Sequence, residues 1–214
     1  MDNFGINGKK ISREELHEAA NLGIFGLRVP AQFGGQEADY VTCGIMTEEL
    51  SRGDFNYSLY IQLGVIASEL LAGFAHPEVQ AEWLPRHATG DAVIAFGLTE
   101  PSAGSDAANI TTRAVKTGDD YLISGEKASI TFAGYADACI VFARTSDQGA
   151  RGISAFLVPL DGPGVTRQVY KTPGERLTQR GSLFFDGVRV PARNRVGGES
   201  GGFAQAMIAF DFNR

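Results

Sequence analysis

One segment concentrates residue types that could do chemistry: Phe96-Gly97-Leu98-Thr99-Glu100-Pro101-Ser102-Ala103-Gly104-Ser105-Asp106. Its physical reading is a strand that exits into a sharp turn. Thr99 and Ser105 offer hydroxyls, and Gly104 lets a ligand approach the backbone. Successive N–H groups around Gly-Ser-Asp can form an anion-holding nest. A second reading fits the same residues: a decorated turn in which Ser105 or Asp106 caps local structure.

Other chemistries find no pattern. His17, His76 and His87 lack metal-ligand spacing among themselves or with cysteine. No GxGxxG opens a βα unit, and there is no Walker-type loop and no GxSxG elbow. Cys43 and Cys139 lie far apart and read as small buried apolar residues, not as a redox pair. The net charge of −6 and the absence of a basic run argue against nucleic acid, whose phosphates need clustered Lys and Arg. The start, MDNFGINGKK, has no apolar core for a signal peptide, so the cytoplasm or an organelle matrix is expected.

The elements that must position this segment change character along the chain. The first ninety or so residues read as helices. Ser12 and Glu15 form a capping box with Ile11 and Leu16 at the staple positions, and Gly23 suits a left-handed stop. A second helix is expected over Val41 to Arg52, with Val41, Ile45 and Leu50 near one face. A third, about Ser58 to Phe74, is apolar all round and belongs inside a bundle rather than in a membrane. Pro77 opens a fourth.

From Val93 to about Val196 the pattern is short β-rich runs between turns: Tyr121 to Ile123, Ile140 to Ala143, Ile153 to Leu160 and Ser182 to Val190. Gly118-Asp119-Asp120, Asp161-Gly162-Pro163-Gly164 and Asp186-Gly187 punctuate them. The tail is helical again, with Phe203, Met207, Ile208 and Phe210 on an expected buried stripe. The predicted class is therefore α+β: a helical domain over 1–92, a small β-barrel or sandwich over 93–197, and the first turns of a further helical domain over 198–214.

The stretch FGLTEPSAGSD resembles the LTEPxxGSD signature of the acyl-CoA dehydrogenase family. The likeness extends in order along the chain. Leu84-Pro85-Arg86 with Gly90 and Asp91 resembles the family's link into its barrel, and Gly125 to Thr131 resembles the flavin-contacting GxKxWIT segment. Phe185 to Pro191 resembles the strand closing the middle domain. Gly201-Gly202-Phe203 and Phe210 to Arg214 resemble the start of the C-terminal helices.

The resemblance implies FAD held against the β-domain and oxidation of an acyl-CoA to its enoyl-CoA, with electron-transfer flavoprotein as acceptor and a homo-oligomeric complete protein. It implies that Phe96, Leu98 and Thr99 border the isoalloxazine, with Thr99 bonded to the pyrimidine end. Gly104 and Ser105 would approach the pyrophosphate or the acyl-CoA entrance, and Ser129, Ile130 and Thr131 would line the flavin, with Thr131 near N5. Ser105, Asp211 and Arg214 would meet substrate. No catalytic base is expected before Arg214, and Glu100 is read as a structural hydrogen-bonding residue. Ser129 departs from the family's usual Trp, which removes an aromatic wall. Lys127, Arg144 and Arg180 read as surface charges rather than CoA-phosphate ligands. A flavin oxidase or monooxygenase on the same fold, and a non-catalytic chain, are the alternatives.

Overall fold

The structure, a computed structural model, describes residues 11–174 and 176–211. The leaderless reading of residues 1–10 and the substrate role expected of Arg214 lie outside them. Four helices come first: α1 (Arg13–Asn21), α2 (Tyr40–Gly53), α3 (Phe55–Phe74) and α4 (Pro77–Ala88). Eight strands follow: β1 (Ile94–Gly97), β2 (Arg113–Thr117), β3 (Asp120–Ile130), β4 (Ala138–Arg144), β5 (Ile153–Pro159), β6 (Val165–Val169), β7 (Gly181–Pro191) and β8 (Arg195–Val196). Helix α5 (Gly202–Asp211) ends the described part.

Local chemistry sets the helix starts. The Ser12–Glu15 capping box is formed in both directions, and Ile11 and Leu16 are buried beside it. The Asp39 and Asp54 carboxylates accept the amides of Thr42 and Asn56, so α3 begins three residues before the apolar run suggests. Gly23 takes the expected left-handed conformation (φ 81°) just after α1. Helix α3 is long and apolar enough to span a bilayer by composition, yet most of it is buried among the other elements.

The strands form one mixed sheet in the order β6-β7-β3-β2-β4-β5-β8. Strand β1 pairs in parallel with β4 over Ile94–Gly97, while β2 meets β4 only at Arg144. The two therefore follow one another along the same edge of β4. Alternate residues of β4 and β5 enter two different cores. Cys139, Val141, Phe156 and Val158 pack in the cluster that includes α1 and the first half of α3. Ile140, Phe142, Ala155 and Leu157 pack with the second half of α3, α4 and α5. A strand covered on both faces reads as a continuous apolar run, which is why these two were legible. Each fully buried Leu, Ile or Phe contributes about 1.5–3 kcal/mol.

Several expectations need correction. Strands β2 and β6 carry mostly exposed residues and left no alternating pattern. Asp186-Gly187 does not end a strand: β7 runs through it, and the register with β3 shifts there as a bulge. Val41 and Ile45 are 71% and 57% exposed; Cys43 is the buried residue of α2. In α5 the small residues Gly202, Ala206 and Ala209 face the core with Gln205, while Ile208 and Phe210 remain exposed. Gly202 is needed there, because a Cβ would sit 2.7 Å from the Ser154 backbone.

Candidate functional site

Strand β1 delivers the signature segment to the margin of the sheet. The half-buried Phe96 ring lies 5.0 Å from Phe142 and 5.8 Å from Phe210 of α5, centroid to centroid. At Gly97 a Cβ would stand 2.7 Å from the Cys139 Sγ, so only glycine lets the two strands approach there. The Leu98 side chain turns inward, 3% exposed. Any contact it makes with a ligand must therefore come through its backbone. Thr99 follows, half-buried, with its carbonyl accepting the Ala128 amide at 2.9 Å.

Beneath this exit lies a buried ion pair. Lys127 Nζ donates to Glu100 Oε1 at 2.8 Å and to the Leu98 carbonyl at 3.1 Å, and both side chains are essentially inaccessible (0% and 1% exposed). The same Glu100 Oε1 accepts the Thr112 amide at 2.9 Å; Oε2 accepts the Thr111 amide at 2.6 Å and its hydroxyl at 2.7 Å. Burial works against the carboxylate, but Lys127 and these donors outweigh it and hold the Glu100 pKa down to about 2. Burial lowers the Lys127 pKa to about 8, against the opposing pull of Glu100. Glu100 thus has the structural role read from the sequence. Lys127 does not have the surface role: its ammonium is locked in the interior.

The turn beyond exchanges two backbone bonds between Glu100 and Ala103. Gly104, Ser105 and Asp106 are exposed, and none of their amides has a partner among the described residues. The Asp106 carboxylate is engaged locally by the Asn109 side chain, whereas the Ser105 hydroxyl bonds no side chain or backbone group among the described residues. The turn therefore combines both sequence readings, a capped turn with free N–H groups on its rim.

The second segment ends β3. Lys127 pairs with Leu183 and Ile130 with Gly181, so Ala128 and Ser129 together oppose Ser182 in a bulge. Ser129 takes a left-handed conformation (φ 59°), and Phe132 does so as well (φ 69°), bracketing Ile130 and Thr131. Non-glycine residues in this region cost of order 1 kcal/mol and must be held by their surroundings. The Ser129 amide donates to Tyr170 Oη at 3.4 Å, and its carbonyl accepts from Arg180 Nε at 3.2 Å. Tyr170 Oη lies 2.6 Å from Ser182 Oγ, which donates to Glu126 at 3.1 Å. The Phe132 amide donates to the Thr178 carbonyl, and its ring stacks 4.5 Å from Tyr60.

Ile130, like Leu98, sends its side chain into the core (2% exposed). Thr131 and Ser129 are half-buried, with hydroxyls that bond no described residue. Arg144 and Arg180 are also not simple surface charges. Arg144 donates to the carbonyls of Ala108, Ile110 and Gly149, and Arg180 holds the bulge. Asp211 is exposed at the end of α5.

The structure thus brings Thr99 and the bulge together through the Thr99–Ala128 bond, with Phe96 three residues before Thr99 on β1. Free hydroxyls at Thr99, Ser129 and Thr131, an aromatic edge at Phe96 and unpaired amides at 104–106 are what a flat heteroaromatic ring with a phosphate arm requires. On that donor set, these residues fit a flavin dinucleotide. Lys127, Tyr170, Ser182 and Phe132 were missed as contributors. Ser182 lies on β7 and Tyr170 just beyond β6, and both reach the bulge only through long-range pairing; Lys127 reads as an ordinary charge in a β-rich run, so none of them left a local signal.

Comparison with known proteins identifies the family. The family model for the acyl-CoA dehydrogenase N-terminal domain matches residues 5–91, and that for the middle domain matches residues 95–188. The probable acyl-CoA dehydrogenase YngJ of Bacillus subtilis is 38% identical over 94% of this chain and 54% of its own length. The CarC subunit of the caffeyl-CoA reductase–Etf complex of Acetobacterium woodii is 35% identical, over 94% of this chain and 54% of its own. The solved structure of PigA with FAD and proline superposes with a TM-score of 0.91 at 30% identity, covering 97% of this chain and 56% of that one. The chain spans about half the length of the curated relatives it matches. With both domain models matched in order and the fold shared, the chain belongs to the acyl-CoA dehydrogenase family.

Proposed function

We propose that this chain carries the flavin-facing part of an FAD-dependent acyl-CoA dehydrogenase, with a helical domain over 1–92, a β-domain over 93–197 and the start of a further helical domain over 198–214. The observation that carries this reading is the pair of half-buried, internally unbonded threonines, Thr99 and Thr131, held on adjoining strand ends by a Thr99–Ala128 backbone bond.

When bound, FAD supplies the acceptor for the β-hydrogen of an acyl-CoA as its α-proton leaves. The chain's own residues bind and orient. Thr99 donates to the pyrimidine end, Phe96 forms an apolar edge, and Thr131 with the Ser129–Thr131 backbone lines the region around N5. Preorganised donors of this kind stabilise charge where it develops. The free amides at Gly104 and Ser105 face a phosphate or the acyl-CoA entrance, and Ser105, Asp211 and Arg214 meet substrate. Leu98 and Ile130 support these contacts through the backbone. The small Ser129 side chain leaves space for a bulky acyl group. No residue of this chain is assigned as the base. Electrons pass to an electron-transfer flavoprotein, the complete protein is a homo-oligomer, and it works in the cytoplasm or an organelle matrix.

A second reading is a flavin oxidase or monooxygenase on the same fold, which would react directly with oxygen; the FAD- and proline-bound structure of similar fold supports only that this fold also takes a ligand other than an acyl-CoA. The visible spectrum of the purified chain with FAD, before and after anaerobic acyl-CoA, tests the first reading. A bound flavin spectrum is expected. Bleaching by acyl-CoA would also place a base within the chain. Oxygen consumption with acyl-CoA would favour the second reading, and a chain that leaves FAD free in solution would sink both for these residues.

A further inference from the structure

Resting on the flavin reading of Thr99, we infer that Lys127 is a positioning residue. Its buried ammonium grips the residues on both sides of Thr99 and so fixes the Thr99 hydroxyl where the flavin meets it. The geometry is specific. One cation bonds the Leu98 carbonyl (3.1 Å) before Thr99 and the Glu100 carboxylate (2.8 Å) after it. The residue next to Lys127, Ala128, closes the third point by donating its amide to the Thr99 carbonyl (2.9 Å). Thr99 is thus tied on three sides to a two-residue stretch of β3, while its own hydroxyl is left free.

The Glu100 carboxylate extends the clamp. Through Thr111 and Thr112 it fixes the chain that leaves the 101–106 turn, so the free amides of that turn and the Thr99 hydroxyl share one anchor. The ion pair is not used for solubility, since neither group reaches solvent. Nor is it needed to fill space, which an apolar pair would do without desolvating two charges. What it provides is a directional hold on a strand exit that has left the sheet's own hydrogen bonding: β1 ends at Gly97, one residue before the clamp begins.

The test uses the 214-residue chain with FAD as the probe. Lys127→Met alone leaves a buried carboxylate without its cation, so the neutral pair Lys127→Met/Glu100→Gln is compared beside it, each with and without Thr99→Val. Flavin affinity is followed by fluorescence quenching, folding by thermal unfolding, and Ala128 by amide exchange.

The expectation for the folded neutral pair is FAD binding weakened at least tenfold, with faster exchange at Ala128 than at other β3 amides. In the Thr99→Val background the same pair should weaken binding by less than twofold, because its effect passes through that hydroxyl. A purely structural role would give losses that multiply. The proposal is overturned if the folded neutral pair binds FAD as the unaltered chain does, or if its loss is undiminished by Thr99→Val. If the unaltered chain does not bind FAD, the flavin reading fails for these residues. The clamp is then judged on exchange alone: selective loss of Ala128 protection supports it, and unchanged protection overturns it.

Discussion

The two strand ends that meet at Thr99 and Ala128 are held by different means. The exit from β1 is fixed by charge: one buried ammonium and one buried carboxylate bind three stretches of chain. The end of β3 is fixed by backbone conformation and several single hydrogen bonds with no ion pair among them: a bulge, two left-handed residues, a phenol, a serine hydroxyl and the partly exposed Arg180 guanidinium on the Ser129 carbonyl. The first arrangement is stiff but brittle, because removing either partner exposes the other to an apolar interior. The second distributes the load over several weak contacts, so that single changes cost little. A site that needs both threonines in register therefore has one side sensitive to charge and pH and one side tolerant of substitution.

The largest effect expected is on the charged side. Lys127→Met should destabilise the fold by about 3–5 kcal/mol, the cost of a buried carboxylate that loses its cation. Denaturant unfolding would measure it. A loss below about 1 kcal/mol would show that Glu100 is satisfied by Thr111 and Thr112 alone, which would erase the contrast. Acid should expose the same pair. The Glu100 pKa is depressed from its ordinary 4.5 to about 2 in the folded state. Its contribution is therefore present above the unfolded value and lost as pH falls from 4.5 towards 2. Glu100→Gln, compared as a difference in the acid limb of a pH–stability curve, should flatten that limb even though it lowers stability at neutral pH. An unchanged limb would mean that other carboxylates dominate it.

The same contrast explains what the sequence disclosed. The signature segment, the capping box, α3 and the two-faced strands β4 and β5 are local or periodic signals, and these were legible. Glu100 and Lys127 are 27 residues apart and pair only because β1 and β3 converge. Nothing in local spacing marks a cation in a β-rich run as buried, so Lys127 passed for a surface charge. The bulge was hidden for another reason: Ser129 and Phe132 have no intrinsic preference for positive φ, and they are held there by Tyr170, Thr178 and Arg180 from the connection between β6 and β7. Strand β6 itself shows almost no buried face, yet it leads directly into Tyr170, which reaches that bulge. Val41 and Ile45 misled in the opposite sense, since apolar residues on a helix need not face a core.

The smaller predictions concern the side whose load is distributed. Tyr170→Phe removes the hydroxyl that bridges the Ser129 amide and Ser182, while keeping the ring. The expected cost is about 1 kcal/mol by denaturant unfolding, that of one neutral hydrogen bond. A loss as large as that of Lys127→Met would refute the idea of a distributed load. Ser129→Gly should change stability least, and in the opposite direction. Glycine accepts φ 59° without the Cβ penalty, but it also gains freedom in the unfolded chain, so the two effects partly cancel. The balance expected is a gain of less than about 1 kcal/mol. Ser129→Trp, by contrast, puts a large ring on the same left-handed backbone. If the small residue is what leaves room beside the flavin, Ser129→Trp should alter FAD affinity or acyl preference well beyond its effect on stability. Equal affinity and unchanged preference would mean that position 129 does not face the ligand, and the bulge would then serve Thr131 alone.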